Sequence, residues 1–120
     1  RSYAQQRDIF NSYAARDGEE AANKYSARPG QSEHQTGLCA DVTSPSVNYQ
    51  MTTKYGDAPE GKWLAENAHQ FGFIIRFPLG KEHITGYQYE PWHVRYVGIE
   101  AATEIAAQGI TLEEYLGEVD

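Results

Sequence analysis

The chain has one cysteine, Cys39, and so cannot form an intramolecular disulfide. That excludes a small scaffold stapled by disulfide bridges, though not an extracellular address, since a domain with an adequate core needs no staples. Positive charge is scarce. Ten Lys and Arg face seventeen Asp and Glu, giving a net charge of −7. A surface of that sign carries no nucleic-acid footprint and is not drawn to anionic membranes. No apolar run approaches the ~18 residues of a transmembrane helix, and no signal-peptide pattern opens the chain. The sequence starts abruptly at Arg1, inside the start of a helix. The expectation is a catalytic domain cut from a longer, anchored protein.

What remains is ordinary globular material. At 120 residues, 40% hydrophobic and 22% charged, the chain suits one compact domain (1–120) with one core rather than disorder. Nine Tyr and two Trp suit a small core or a groove that grips a polar polymer. No repeat, low-complexity stretch or domain boundary stands out, and nothing suggests a coiled coil or a large exposed apolar face, so a monomer is expected.

Hydrophobic spacing predicts a helix over 2–16, with Tyr3, Ile9, Phe10, Tyr13 and Ala14 on one face. Asp17, with Glu20 three residues on, reads as the cap of a short helix reaching about Tyr25. Residues 28–32 read as loop. A short strand follows over 38–43, with Leu38, Ala40 and Val42 toward the core and Cys39, Asp41 and Thr43 on the other face. After a loop over 44–58, Pro59 opens a helix to residue 70 whose apolar face is Trp63, Leu64, Ala68 and Phe71. Strands are predicted over 73–77 and 92–97 around a loop at 78–86. A helix over 99–108 ends at Gly109, and Thr111 caps a last short helix over 112–116. Helices lead and strands cluster in the middle with hairpin-like connections. The fold class is α+β, with a small, mainly antiparallel sheet and helices packed on it.

Three segments carry the chemistry: Ser32-Glu33-His34-Gln35-Thr36-Gly37, then Asp41, then Glu90-Pro91-Trp92-His93. They offer two imidazoles, a carboxylate to complete a metal's protein ligands, and a second carboxylate free to handle protons. A catalytic zinc needs three protein ligands, an open position for water and a nearby base. His34, Asp41 and His93 are the candidate ligands, and Glu90 the base. In an unbroken strand Glu90 and His93 would point to opposite faces. Pro91 cannot donate to a ladder, so the strand is expected to start after it, leaving Glu90 in a turn that brings it round to His93. Alternation then places His93, Arg95 and Val97 on the site face. Arg1 and Arg95 are candidates to stabilise an oxyanion. His69, His83 and Cys39 read as ordinary structural or surface residues.

The Ser-x-His-x-x-Gly-x-x-x-Asp pattern, here Ser32, His34, Gly37 and Asp41, resembles the motif of the zinc D-Ala-D-Ala carboxypeptidases, in particular their VanY-like, LdcB-like branch. The stretch from Ile84-Thr85-Gly86-Tyr87 through Glu90-Pro91-Trp92-His93 to Gly98 is similar to that branch's Glu-Pro-Trp-His signature and its flanks, and Arg1-Ser2-Tyr3 with Gln6 to its Arg-Ser segment. Cys39 departs from the family's usual small apolar residue. The resemblance implies the D-Ala-D-Ala carboxypeptidase/Hedgehog-like fold with a zinc cleft at the sheet. It implies one Zn2+ per chain on His34, Asp41 and His93, with Glu90 as base and then acid, and Arg1 on the scissile carbonyl. Ser32 and Gln6 would hold the substrate's terminal residue, and Tyr87 and Trp92 would shape the cleft. The implied substrate is a peptidoglycan stem peptide ending in D-Ala, met outside the cytoplasm. D,D-carboxypeptidase activity is the first expectation. L,D-carboxypeptidase activity on the tetrapeptide, a non-catalytic zinc-containing binding module and a dipeptidase stay as alternatives.

Overall fold

Ser2 opens the first helix with a reciprocal cap. Its hydroxyl accepts from the Gln5 N–H at 3.1 Å, and the Gln5 side chain accepts from the Ser2 N–H at 2.8 Å. In the computed structural model, which describes residues 1–22, 27 and 30–117, the chain divides into two compact units, Arg1–Cys39 and Ala40–Asp120.

In the first unit, α1 (Tyr3–Asp17) buries Gln6 and Phe10. Ile9, Tyr13 and Ala14 are half-buried, while Tyr3 is exposed, so the expected apolar face is narrower than its spacing suggests. Asp17 is the last residue of α1 rather than a cap for the next helix. Gly18, at φ 87°, makes the break that a side chain would resist, and α2 (Glu19–Ala22) starts after it. Tyr25, Arg28 and Pro29 lie outside the described residues. A single 3-10 turn, Glu33–Thr36, precedes β1 (Cys39–Asp41). Leu38 and Ala40 are exposed, so neither faces a core as alternation had predicted.

In the second unit, helix α3 (Pro59–Asn67) runs into a 3-10 turn, Ala68–Phe71. Its expected apolar face is only partly used. Ala68 is buried and Leu64 half-buried, but Trp63 and Phe71 stay exposed and face each other with ring centroids 6.3 Å apart. Strands β2 (Phe73–Phe77) and β3 (Glu90–Tyr96) flank the short α4 (Glu82–Thr85), and the chain continues through α5 (Ile99–Gln108) and α6 (Leu112–Tyr115). The sheet order is β1-β3-β2, with β2 and β3 antiparallel. Ile74 of β2 packs with Ala102 and Ile105 of α5, surrounded by Val97, Ile110, Leu112 and Tyr115. Gly109, at φ 63°, ends α5, and a Thr111–Glu114 capping box starts α6.

The expected start of β3 after Pro91 is corrected, because the strand begins at Glu90. Between the pairs Ile75–Val94 and Phe77–Glu90, β2 advances by two residues while β3 advances by four. The extra residues bulge β3 over 91–93. Pro91, which has no N–H to give, falls within that bulge, where a missing donor costs least. A bulge rather than a turn thus breaks the alternation that would have sent Glu90 and His93 apart.

Candidate metal and catalytic site

Asp41 comes from β1, and Glu90 and His93 from the bulged start of β3. Those strands are held side by side, with the Val42 N–H donating to the Trp92 carbonyl at 2.8 Å. The result is a cluster in which His93 and Glu90 are buried and Asp41, with its side chain 20% exposed, is half-buried. His93 Nδ1 lies 3.3 Å from Asp41 Oδ1 and 3.8 Å from Glu90 Oε1, and the His93 and Glu90 side chains are 4% and 6% exposed. An imidazole nitrogen close to two carboxylate oxygens, one half-buried and one buried, is a donor set with surplus negative charge. A divalent cation balances it, and mixed N and O donors suit zinc. The donors therefore fit a metal centre, and one carboxylate more than a ligand pair needs lies within reach of it.

The aromatic ring of Phe77 backs this cluster. Phe77 stands opposite Glu90 in the sheet, with its ring centroid 4.9 Å from that of His93. Tyr87 stacks on Phe77 at 4.5 Å. Phe77 reads in the sequence only as a core strand residue, and its place at the site depends on a register that hydropathy does not encode. Trp92, buried at 9% exposure, is packed into the interior. Arg95 pairs with Ile74 in the ladder and directs its Nε toward the Tyr96 carbonyl at 3.4 Å.

The remaining predicted residues gather in the first unit. Ser32 is buried, and its hydroxyl accepts from the His34 N–H at 3.2 Å, capping the 3-10 turn that carries His34. Gly37, at φ 78°, closes that turn in the left-handed region, and its N–H donates to the His34 carbonyl. The backbone nitrogen of Arg1 donates to the same carbonyl at 2.9 Å. The Arg1 guanidinium donates to Gln6 Oε1 at 2.7 Å, and the Gln6 amide nitrogen donates to the Ala27 carbonyl. Gln6 is only 1% exposed. Both ends of its amide are engaged, one by Arg1 and one by backbone, where the sequence had suggested a substrate contact.

Residues 1–99 match the family described as VanY: D-alanyl-D-alanine carboxypeptidase. A Bacillus subtilis (strain 168) protein named as a candidate carboxypeptidase, YodJ, is 48% identical over 119 residues, covering 99% of this chain and 44% of the relative. The solved LdcB LD-carboxypeptidase superposes with a TM-score of 0.88 at 48% identity, over 100% of this chain and 56% of that one. The D,D-pentapeptidase VanY of a VanB-type vancomycin resistance cassette, solved in complex with Zn(II), superposes at 0.83 with 41% identity, over 97% of this chain and 67% of that one. The chain thus spans less than half of the Bacillus relative and a little over half of the LdcB chain. On the strength of the matched residues, the chain belongs to the VanY family of D-alanyl-D-alanine carboxypeptidases.

Proposed function

We propose that this chain is the catalytic part of a zinc-dependent carboxypeptidase that removes a C-terminal D-alanine from peptidoglycan stem peptides or their precursors. The observation that carries the reading is the Asp41–His93–Glu90 cluster, in which a buried carboxylate beyond the ligand pair sits beside the metal donors. In this reading residues 1–120 belong to one catalytic domain. His34 supplies the third ligand, supported by the Gly37 turn and the seven-residue spacing to Asp41, and by the Zn(II) complex of the VanY relative.

Bound there, zinc supplies Lewis acidity, which lowers the pKa of a bound water toward ~7. Glu90 takes a proton from the attacking water. The water's oxygen bonds to the carbonyl carbon before the terminal residue, the C–N bond breaks, and Glu90 hands its proton to the departing amine. Arg1, oriented by Gln6, faces the carbonyl oxygen and offsets its growing negative charge. The Ser32 hydroxyl, which uses a lone pair to cap the His34 turn, keeps its proton to donate to the substrate's terminal carboxylate. Tyr87, stacked on Phe77 beside His93, shapes the cleft, the buried Trp92 supports it from within, and Arg95 is assigned to substrate binding.

D,D-cleavage is the first assignment, from the family description. L,D-cleavage of the tetrapeptide is the second, favoured by the strong likeness to the LdcB LD-carboxypeptidase. Peptidoglycan lies outside the cytoplasmic membrane, so the proposed site of action is extracytoplasmic. Among the described residues no helix is long and apolar enough to cross a membrane. Each proposed residue is needed once, so the reading requires no second copy and we assign a monomer. Release of D-alanine with zinc present, lost on chelation and restored by zinc, tests the assignment. Release that survives complete chelation would refute it.

A further inference from the structure

We propose that Phe77 is a positioning residue for His93, held in turn by Tyr87 and by an Arg76–Glu113 clamp. The inference rests on the reading of His93 as a metal ligand. The torsion that spins an imidazole about its own axis is broad and roughly two-fold. A half-turn of His93 would replace Nδ1 by a carbon in front of Asp41 and Glu90, and the donor would be lost. The Phe77 ring, 5% exposed, lies against the imidazole at 4.9 Å and 34° between planes. That contact fills the volume the ring would sweep as it turned.

Phe77 is itself well anchored. Tyr87 stacks on it at 4.5 Å and 26°. The Arg76 guanidinium carbon sits 5.1 Å from its ring centroid. The same guanidinium forms a two-pronged pair with Glu113 of α6, at 2.7 and 2.8 Å, between side chains only 12% and 18% exposed. A continuous set of contacts therefore runs from α6 through Arg76 and Phe77 to the imidazole. Groups that orient a metal-bound histidine are worth roughly 10–100-fold in affinity.

The test measures zinc Kd by competition with a chromogenic chelator, together with the visible spectrum of the Co2+-substituted full chain. Thermal unfolding is followed separately to confirm folding. Phe77→Leu is expected to raise the zinc Kd about tenfold and to shift the cobalt absorption. Phe77→Tyr, which keeps the ring, should restore both, and Tyr87→Leu should raise Kd by a smaller factor. A residue that merely supported the core would lower Tm and leave the spectrum unchanged. His93→Ala separates this claim from its premise: if that variant binds zinc as the wild type does, His93 is not a ligand and the inference falls with the premise. If His93→Ala loses zinc while folded Phe77→Leu keeps the wild-type Kd and spectrum, Phe77 has no positioning role. Should Phe77→Leu fail to fold, Tyr87→Leu decides, and an unchanged Kd there overturns the proposal.

Discussion

Asp41 Oδ1 and His93 Nδ1 sit 3.3 Å apart on neighbouring strands, although fifty-one residues of intervening sequence separate them. β1 and β3 pair directly, and the bulge at the start of β3 swings His93 to the face that Asp41 and Glu90 share. The juxtaposition belongs to the backbone, so point changes at these three positions should alter chemistry more than fold.

Glu90→Gln keeps the size and burial of the side chain and removes its basicity. We expect zinc stoichiometry to be unchanged and kcat to fall by roughly 10²–10⁴-fold, the usual worth of a positioned general base. Stopped-time assays of D-alanine release, with metal content measured on the same sample, check this. Turnover within a few-fold of wild type would remove Glu90 from the mechanism.

In the proposed mechanism Gln6 acts through Arg1. With Arg1 held by the Gln6 amide oxygen, Gln6→Leu should lower kcat in the same sense as Arg1→Ala, and the double variant should be no worse than Arg1→Ala. Independent, multiplicative losses would show that Gln6 meets the substrate on its own account. Because the change leaves the Ala27 carbonyl without its amide donor, stability should also fall by about 1–3 kcal/mol.

These residues show which parts of the molecule were legible in the sequence. The strand over 73–77 and the helix over 99–108 coincide with β2 and α5, because each carries a strong local pattern with clear stops. The residues proposed as metal ligands and base stand out in the sequence because two imidazoles and two carboxylates are unusual at that spacing, and of them Asp41, Glu90 and His93 lie together in the second unit. The route by which Glu90 reaches His93 was not, since a bulge is a property of two paired strands and hydropathy reports only one. Trp63, Phe71 and Leu38 mark a second limit. Spacing says which residues share a face, but not whether anything covers that face, and all three are exposed.

Gly61 tests the packing of the second unit. A Cβ built there lies 1.8 Å from the carbonyl oxygen of Tyr55, a backbone atom with little room to move. In an open helix Gly→Ala stabilises by about 1 kcal/mol. Here the overlap outweighs that gain, and Gly61→Ala is expected to destabilise by about 3 kcal/mol, read as a lowered Tm. A raised Tm would show that the Tyr55 turn yields easily.

Glu114 supplies a pH dependence remote from the site. Hydrogen bonds from Lys81 and from the Thr111 N–H hold its carboxyl below the usual carboxylate range. A lowered folded-state pKa contributes stability that is complete above the unfolded value, about 4.3, and is lost as pH falls through the folded one. The Tm advantage of the wild type over Glu114→Gln, present at pH 7, should shrink as the pH drops from about 5 to about 3. A difference that stays constant over that span would mean the carboxylate's charge adds nothing to the cap.

Mass spectrometry of a muramyl pentapeptide, and separately of the matching tetrapeptide, incubated with the zinc-loaded protein is the most direct test of the proposed function. The account predicts loss of a single alanine: from the pentapeptide if the cleavage is D,D, or from the tetrapeptide if it is L,D. It also predicts that this loss is slowed by roughly 10²–10⁴-fold with Glu90→Gln. Both peptides intact after incubation with wild-type protein that still holds its zinc would contradict it.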